Sequence, residues 1–204
     1  METESNKHNQ TVNSNHRLAI FASGAGSNAA KIIDYFKHNT HITIALIVSN
    51  KKEAGVLKIA EQNNIPVLII EKEQFFKGDA YINALNKSTI TFIVLAGFLW
   101  KVPQQLITSF FNKIINIHPA LLPKYGGKGM YGNFVHEAVI QNKEKESGIT
   151  IHFVNEKYDD GKHIFQTTCN VDENDTPETL AKKIQLLEHQ HFPEQIEKIL
   201  TNNL

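Results

Sequence analysis

The residues best suited to chemistry lie in the segment Asn116-Ile117-His118-Pro119. The apolar run Ile114–Ile117 predicts a short strand, and residues two apart on a strand share a face. Asn116 and His118 then project together at the strand's carboxyl end, while Ile117 enters the core. An amide donor beside an imidazole suits an oxyanion that forms in a transition state, and a histidine moves protons near neutral pH. A structural histidine bonding a loop carbonyl is the competing reading of His118. The amide partner and the stiff Pro119-Ala120-Leu121-Leu122-Pro123 that follows favour function.

Two other segments carry polar groups at turns. In Ser23-Gly24-Ala25-Gly26-Ser27-Asn28, the glycines permit close backbone approach, and Ser27 and Asn28 open a helix. Free N–H groups at a helix start suit a phosphate. Gly24-x-Gly26-x-x-Ala29 also satisfies a loose dinucleotide fingerprint, which expects an acidic residue about 20 positions later. The chain reads Ser49-Asn50-Lys51-Lys52 there, so a nicotinamide or flavin is disfavoured and a monophosphate ester fits better. No Gly-Lys-Ser/Thr follows, so the turn is not a P-loop. The third segment is Asp159-Asp160-Gly161. An aspartate near His118 would orient its ring and favour the protonated form; an ordinary Asp-Gly turn is the blander reading.

These segments need elements to hold them. Residues 1–16 are Asn-rich, without apolar periodicity, and are expected to be a disordered extension; residues 17–204 are expected to form one domain. Apolar runs at Leu18–Ala22, Ile42–Val48, Val67–Ile70 and Thr91–Ala96 alternate with segments of helical period. That alternation predicts an α/β fold: a mostly parallel, twisted sheet with flanking helices and a Rossmann-like N-terminal half. Two further strands are expected at Thr150–Val154 and Ile164–Val171. A final helix from about Thr176, with Pro177 at its first position, is expected to kink at Pro193.

Composition excludes several classes. Lys+Arg and Asp+Glu are both 21, which argues against a nucleic-acid partner. No apolar run approaches the roughly 18 residues of a membrane span. The one cysteine, Cys169, rules out an intramolecular disulfide and a multi-cysteine zinc site; a cytoplasmic location is the simplest expectation. No metal site is expected: His189 and His191 point apart on a helix, and His136-Glu137 lacks the second histidine of a zinc-protease helix. His152, in a strand, reads as structural.

The ordered set SGAGSN, Val48-Ser49-Asn50, Leu95-Ala96-Gly97-Phe98, NIHPALLPK at 116–124, His152-Phe153-Val154, Asp159-Asp160-Gly161 and Glu188-His189 resembles the formyltetrahydrofolate-dependent formyltransferase family, in the branch that acts on glycinamide ribonucleotide. The likeness runs from about Leu18 to Leu200. It implies formyl transfer from 10-formyltetrahydrofolate to the amine of 5-phosphoribosylglycinamide in de novo purine biosynthesis. It implies two small-molecule substrates, no metal, and a monomer or homodimer. Asn116 and His118 would stabilise the tetrahedral oxygen, His118 as proton donor, and Asp159 would raise the His118 pKa. Gly26, Ser27 and Asn28 would take the phosphate and ribose side, and Glu188 the ribose or amine. The folate would lie along Leu99, Trp100, Lys101 and Val102, near Asn116. The alternative within the likeness is a formyltetrahydrofolate deformylase; relatives of that type carry an N-terminal regulatory domain that sixteen polar residues would not supply. Three departures stand out. Gly78, beside Lys77, takes the place of a folate-contacting arginine; Asp160 replaces a small residue; and the loop 126–132 is long, either a lid or a rigid connector.

Overall fold

The computed structural model describes residues 15–77 and 79–201. Residues 1–14 of the expected extension lie outside the described residues; Asn15 is described, and His16 already opens the first strand, two residues before the expected apolar run. Seven strands form one sheet: β1 (His16–Phe21), β2 (Ile42–Ser49), β3 (Val67–Ile69), β4 (Phe92–Leu95), β5 (Ile114–His118), β6 (Glu146–Phe153) and β7 (His163–Asn170). Their spatial order is β3-β2-β1-β4-β5-β6-β7. The first five are parallel, while β6 pairs antiparallel with both β5 and β7. The helices are α1 (Ser27–Phe36), α2 (Gly55–Gln62), α3 (Lys72–Lys77), α4 (Ala80–Lys87), α5 (Gln104–Ser109), α6 (Asn133–Gln141) and α7 (Pro177–Leu200).

Strand β1 shows why both faces are covered. Leu18 and Ile20 join one apolar cluster with Ile32 of α1, Val56 of α2 and Ile184 of α7. Ala19 and Phe21 join the opposite cluster with Phe75, Leu85 and Leu106 of α3, α4 and α5. The side-chain period of two sends alternate residues into two separate cores, which is why central strands of such sheets read as unbroken apolar runs. The chain winds outward from β1 to β3, then returns to β4 on the other side of β1. That reversal opens a crevice at the carboxyl ends of β1 and β4, where ligands collect in such sheets.

Several elements differ in detail from the sequence reading. Two short helices, α3 and α4, lie between β3 and β4, and neither α3 nor α5 was anticipated. Six residues with Leu106 and Ile107 buried are too few to display a helical period. Helix α7 continues through Pro193, which is buried. Its start follows the expectation closely: Thr176 caps it, its hydroxyl accepting from the Thr179 N–H in a reciprocal capping box, with Pro177 next.

Candidate active site

The glycine turn after β1 delivers one wall of the crevice. Gly26 has φ +82°, and a Cβ there would sit 2.7 Å from Val56 Cβ, so both backbone and space demand glycine. Helix α1 starts at once: the Ala30 N–H donates to the Gly26 carbonyl, leaving the earlier N–H groups without helical partners. Helix α7 is tied to this turn twice. Asn28 Nδ2 donates to Glu188 Oε2 at 2.8 Å, and Gln185 Nε2 donates to Ser27 Oγ at 3.1 Å. Burial pushes the Glu188 carboxyl up, against the Asn28 bond that lowers it. Gln185 went unnoticed in the sequence; the available signal was its position three residues before Glu188, on one helix face.

The end of β5 delivers the amide and the imidazole of the candidate site. As the strand period requires, Ile117 is buried in the core, and His118 is 3% exposed beneath the loop that follows. His118 Nε2 donates to the Tyr125 carbonyl at 2.8 Å, and Nδ1 lies 3.6 Å from Asp159 Oδ2. The loop-carbonyl bond and the aspartate partner therefore occur together. Asp159 sits between β6 and β7 at φ +51°, a left-handed conformation that aspartate tolerates better than most residues. Its Oδ2 accepts the Gly127 N–H at 2.9 Å. Burial would raise the Asp159 carboxyl, but His152, His118 and the Gly127 N–H together hold it below the usual carboxylate range.

For His118 the balance runs the other way from the expectation. Burial lowers its pKa, and although Asp159 and the Tyr125 carbonyl pull upward, the net shift is down. The resting ring is neutral because removing an imidazolium from water outweighs one carboxylate at 3.6 Å. His152 is more than a filler of β6: its Nε2 is 3.2 Å from Asn116 Nδ2 and 3.7 Å from Asp159 Oδ1. Asp160 is directed away from the pair, toward Asn155 Nδ2 at 3.2 Å and Lys157 Nζ at 3.8 Å, so its charge does not crowd Asp159.

These groups line one cavity of about 480 Å³, which also contains Gly24, Asn28, Glu188 and the whole of Leu99–Val102. Gly26 and Ser27 are not among its lining residues; Ser23 and Gly24 are the turn residues that are. The Leu99–Val102 wall is fixed from two sides. The Leu99 N–H donates to Ser23 Oγ at 3.0 Å, and Trp100 packs on Phe75, Phe76 and Phe98 with ring centroids 5.8–6.3 Å apart. Lys101 Nζ sits 5.4 Å from the Tyr158 ring centroid at the rim. Lys77 pairs with exposed Glu73 and does not line this cavity; Gly78 lies outside the described residues. The loop 126–132 contributes Gly127, Gly129, Met130, Tyr131 and Gly132 to the opposite rim. The preceding turn is anchored on β6: the Leu122 N–H donates to Thr150 Oγ1, whose hydroxyl donates to the Ala120 carbonyl. Among the described residues no group of three His, Cys, Asp or Glu could hold a metal ion, and no helix is long and apolar enough to cross a membrane.

A mostly parallel α/β sheet with an open helix start and an amide, an imidazole and a carboxylate meeting at adjacent strand ends defines a group-transfer enzyme scaffold. The chain belongs to the formyl transferase family, which its residues 16–196 match. It is 42% identical over 184 residues to the chloroplastic phosphoribosylglycinamide formyltransferase of Arabidopsis thaliana, covering 87% of this chain and 63% of that one. It is 35% identical over 192 residues to the phosphoribosylglycinamide formyltransferase of Bacillus subtilis, covering 92% and 96%. The crystal structure of phosphoribosylglycinamide formyltransferase from Bacillus halodurans superposes with a TM-score of 0.83 at 35% identity, covering 92% and 97%. A formyltetrahydrofolate deformylase from Pseudomonas syringae shares the fold at 21% identity, TM-score 0.78, with 90% and 60% covered.

Proposed function

We propose that this protein transfers the formyl group of 10-formyltetrahydrofolate to the amine of 5-phosphoribosylglycinamide, a step of de novo purine biosynthesis. The observation that carries the reading is the meeting of Asn116, His118 and Asp159 in one cavity, between the Asn28–Glu188 wall and the Leu99–Val102 wall. The first wall suits a sugar phosphate: α1 offers unpaired N–H groups, and Glu188 offers a carboxylate to hydroxyls or an amine. The second is apolar, with backbone polar groups at its edge, and suits a flat heterocycle.

The amine lone pair attacks the formyl carbon, and the carbonyl π electrons move to oxygen. Asn116 donates Nδ2–H to that oxygen, an interaction that strengthens as negative charge develops. His118 Nε2–H is engaged by Tyr125, so Nδ1 is the nitrogen that exchanges protons. A neutral ring first accepts the proton the attacking amine loses; ionised Asp159 stabilises the resulting imidazolium. When the intermediate collapses, the bond to folate N10 breaks, the carbonyl reforms, and Nδ1 returns the proton to N10. No net proton is consumed.

The same reading takes residues 17–204 as one formyltransferase domain, working in the cytoplasm as a monomer or homodimer. The deciding experiment follows folate absorbance with purified protein, supplying phosphoribosylglycinamide or water alone as acceptor. Tetrahydrofolate release that depends on the ribonucleotide supports the proposal. Equal release in water alone would replace it with the deformylase reading.

A further inference from the structure

His152 has no part in the mechanism above, yet it is 3% exposed and lies against two of its members. It stands directly opposite Asn116 in the β5–β6 pairing, and opposed residues project to the same face. His152 Nδ1 is 2.8 Å from the Phe153 carbonyl oxygen. A carbonyl only accepts, so Nδ1 carries the hydrogen, and Nε2 of the neutral ring is a bare lone pair. That lone pair is 3.2 Å from Asn116 Nδ2, which only donates. Asp159 Oδ1 is the competing partner of Nε2, but at 3.7 Å it is the farther of the two. A backbone carbonyl thus sets the ring's tautomer, and the tautomer sets the direction of the amide. Turning the amide over would place Oδ1 against Nε2, lone pair to lone pair.

We propose that His152 is a positioning residue for formyl transfer: through Nε2 it locks the Asn116 amide so that the second Nδ2 hydrogen faces the developing oxyanion. This rests on the reading of Asn116 as the oxyanion donor. His152 acts through Asn116, and the charged or titratable groups facing its ring are Asp159 and His118.

The first test needs no substitution. Ring nitrogen NMR on the intact protein at neutral pH should show the His152 hydrogen on Nδ1 and Nε2 bare; a hydrogen on Nε2 would overturn the inference. The second compares His152→Leu, His152→Gln, Asn116→Leu and the double variant His152→Leu/Asn116→Leu. His152→Leu should lower kcat by about tenfold or more, as expected for a misaimed group, with both KM values within about threefold. His152→Gln, whose Oε1 can accept from Asn116, should recover kcat to within about threefold of the parent. In the Asn116→Leu background, His152→Leu should have no further effect on kcat. Parental kcat in His152→Leu, failure of the glutamine to rescue, or an equal loss in both backgrounds would overturn the inference alone. Parental kcat in Asn116→Leu would overturn the oxyanion reading and this inference with it. If the leucine variant does not fold, the tautomer measurement still decides.

Discussion

Asp159→Asn is the sharpest probe of the reactive pair. The asparagine amide keeps an oxygen for the Gly127 N–H, so the loop anchor survives while the charge is removed. The carboxylate lies 3.6 Å from His118 Nδ1, and the two side chains are only 13% and 4% exposed. Opposite unit charges at this range attract by about 1 kcal/mol in water and about 4 kcal/mol at the effective dielectric of a partly buried protein site. Such burial favours the upper part of that range. At about 1.4 kcal/mol per decade, full loss of the attraction for an imidazolium corresponds to two to three orders of magnitude in rate. Because only part of that charge need be present at the transition state, the expected fall in kcat is about a hundredfold. The assay is tetrahydrofolate formation under saturating ribonucleotide, with a thermal melt beside it. NMR titration should show the His118 midpoint moving further down, since the largest upward pull on it is gone. A kcat within about threefold of the parent, or a His118 titration that does not move, would refute the coupling of charge to catalysis.

Four other outcomes are expected. His118→Ala should reduce turnover by at least about a hundredfold, measured in the same assay, as for loss of a proton-transfer group. Glu188→Gln keeps an acceptor for Asn28 but loses the charge. It should raise the KM for the ribonucleotide by about tenfold or more with kcat little changed, as expected for a lost charged hydrogen bond. Gly26→Ala combines φ +82° with a Cβ 2.7 Å from Val56 and should cost about 2–4 kcal/mol in a denaturant melt. Gly24→Ala, with nothing within 4 Å of its Cβ, should melt like the parent. His118 and His136 both have lowered pKa values, burial being the main cause. Their folded values lie below the unfolded one of about 6.5, so their contribution to stability is complete above about pH 6.5 and is lost as pH falls through the folded values. Melting temperature should therefore drop on acidification below that point, and His136→Phe should flatten the drop; an unchanged slope would count against His136 as a source.

Much of the candidate site was legible because it is local. Strand period alone put Asn116 and His118 on one face with Ile117 opposite, and the glycine turn after an apolar run marked the start of α1. Alternating apolar runs also announced the parallel half of the sheet, since a central strand packs on both faces. The short helices α3 and α5 were not legible, because one or two buried side chains cannot establish a period. Gln185 was hidden for another reason: its role depends on which part of α7 crosses the turn after β1.

What the amino-acid sequence determined by itself, then, is the set of candidate groups and the strand ends that carry them. Those follow from spacing along one element. Only the tertiary structure decided which groups meet and in what state. Asp159 reaches His118 because its loop is left-handed at φ +51° and because Gly161 lets the chain pass close to the Phe153 carbonyl, where a Cβ would collide. His118 is neutral at rest because burial, a property of everything packed around it, outweighs the neighbouring carboxylate. Desolvation and long-range proximity are sums over the whole fold, and no stretch of sequence contains them.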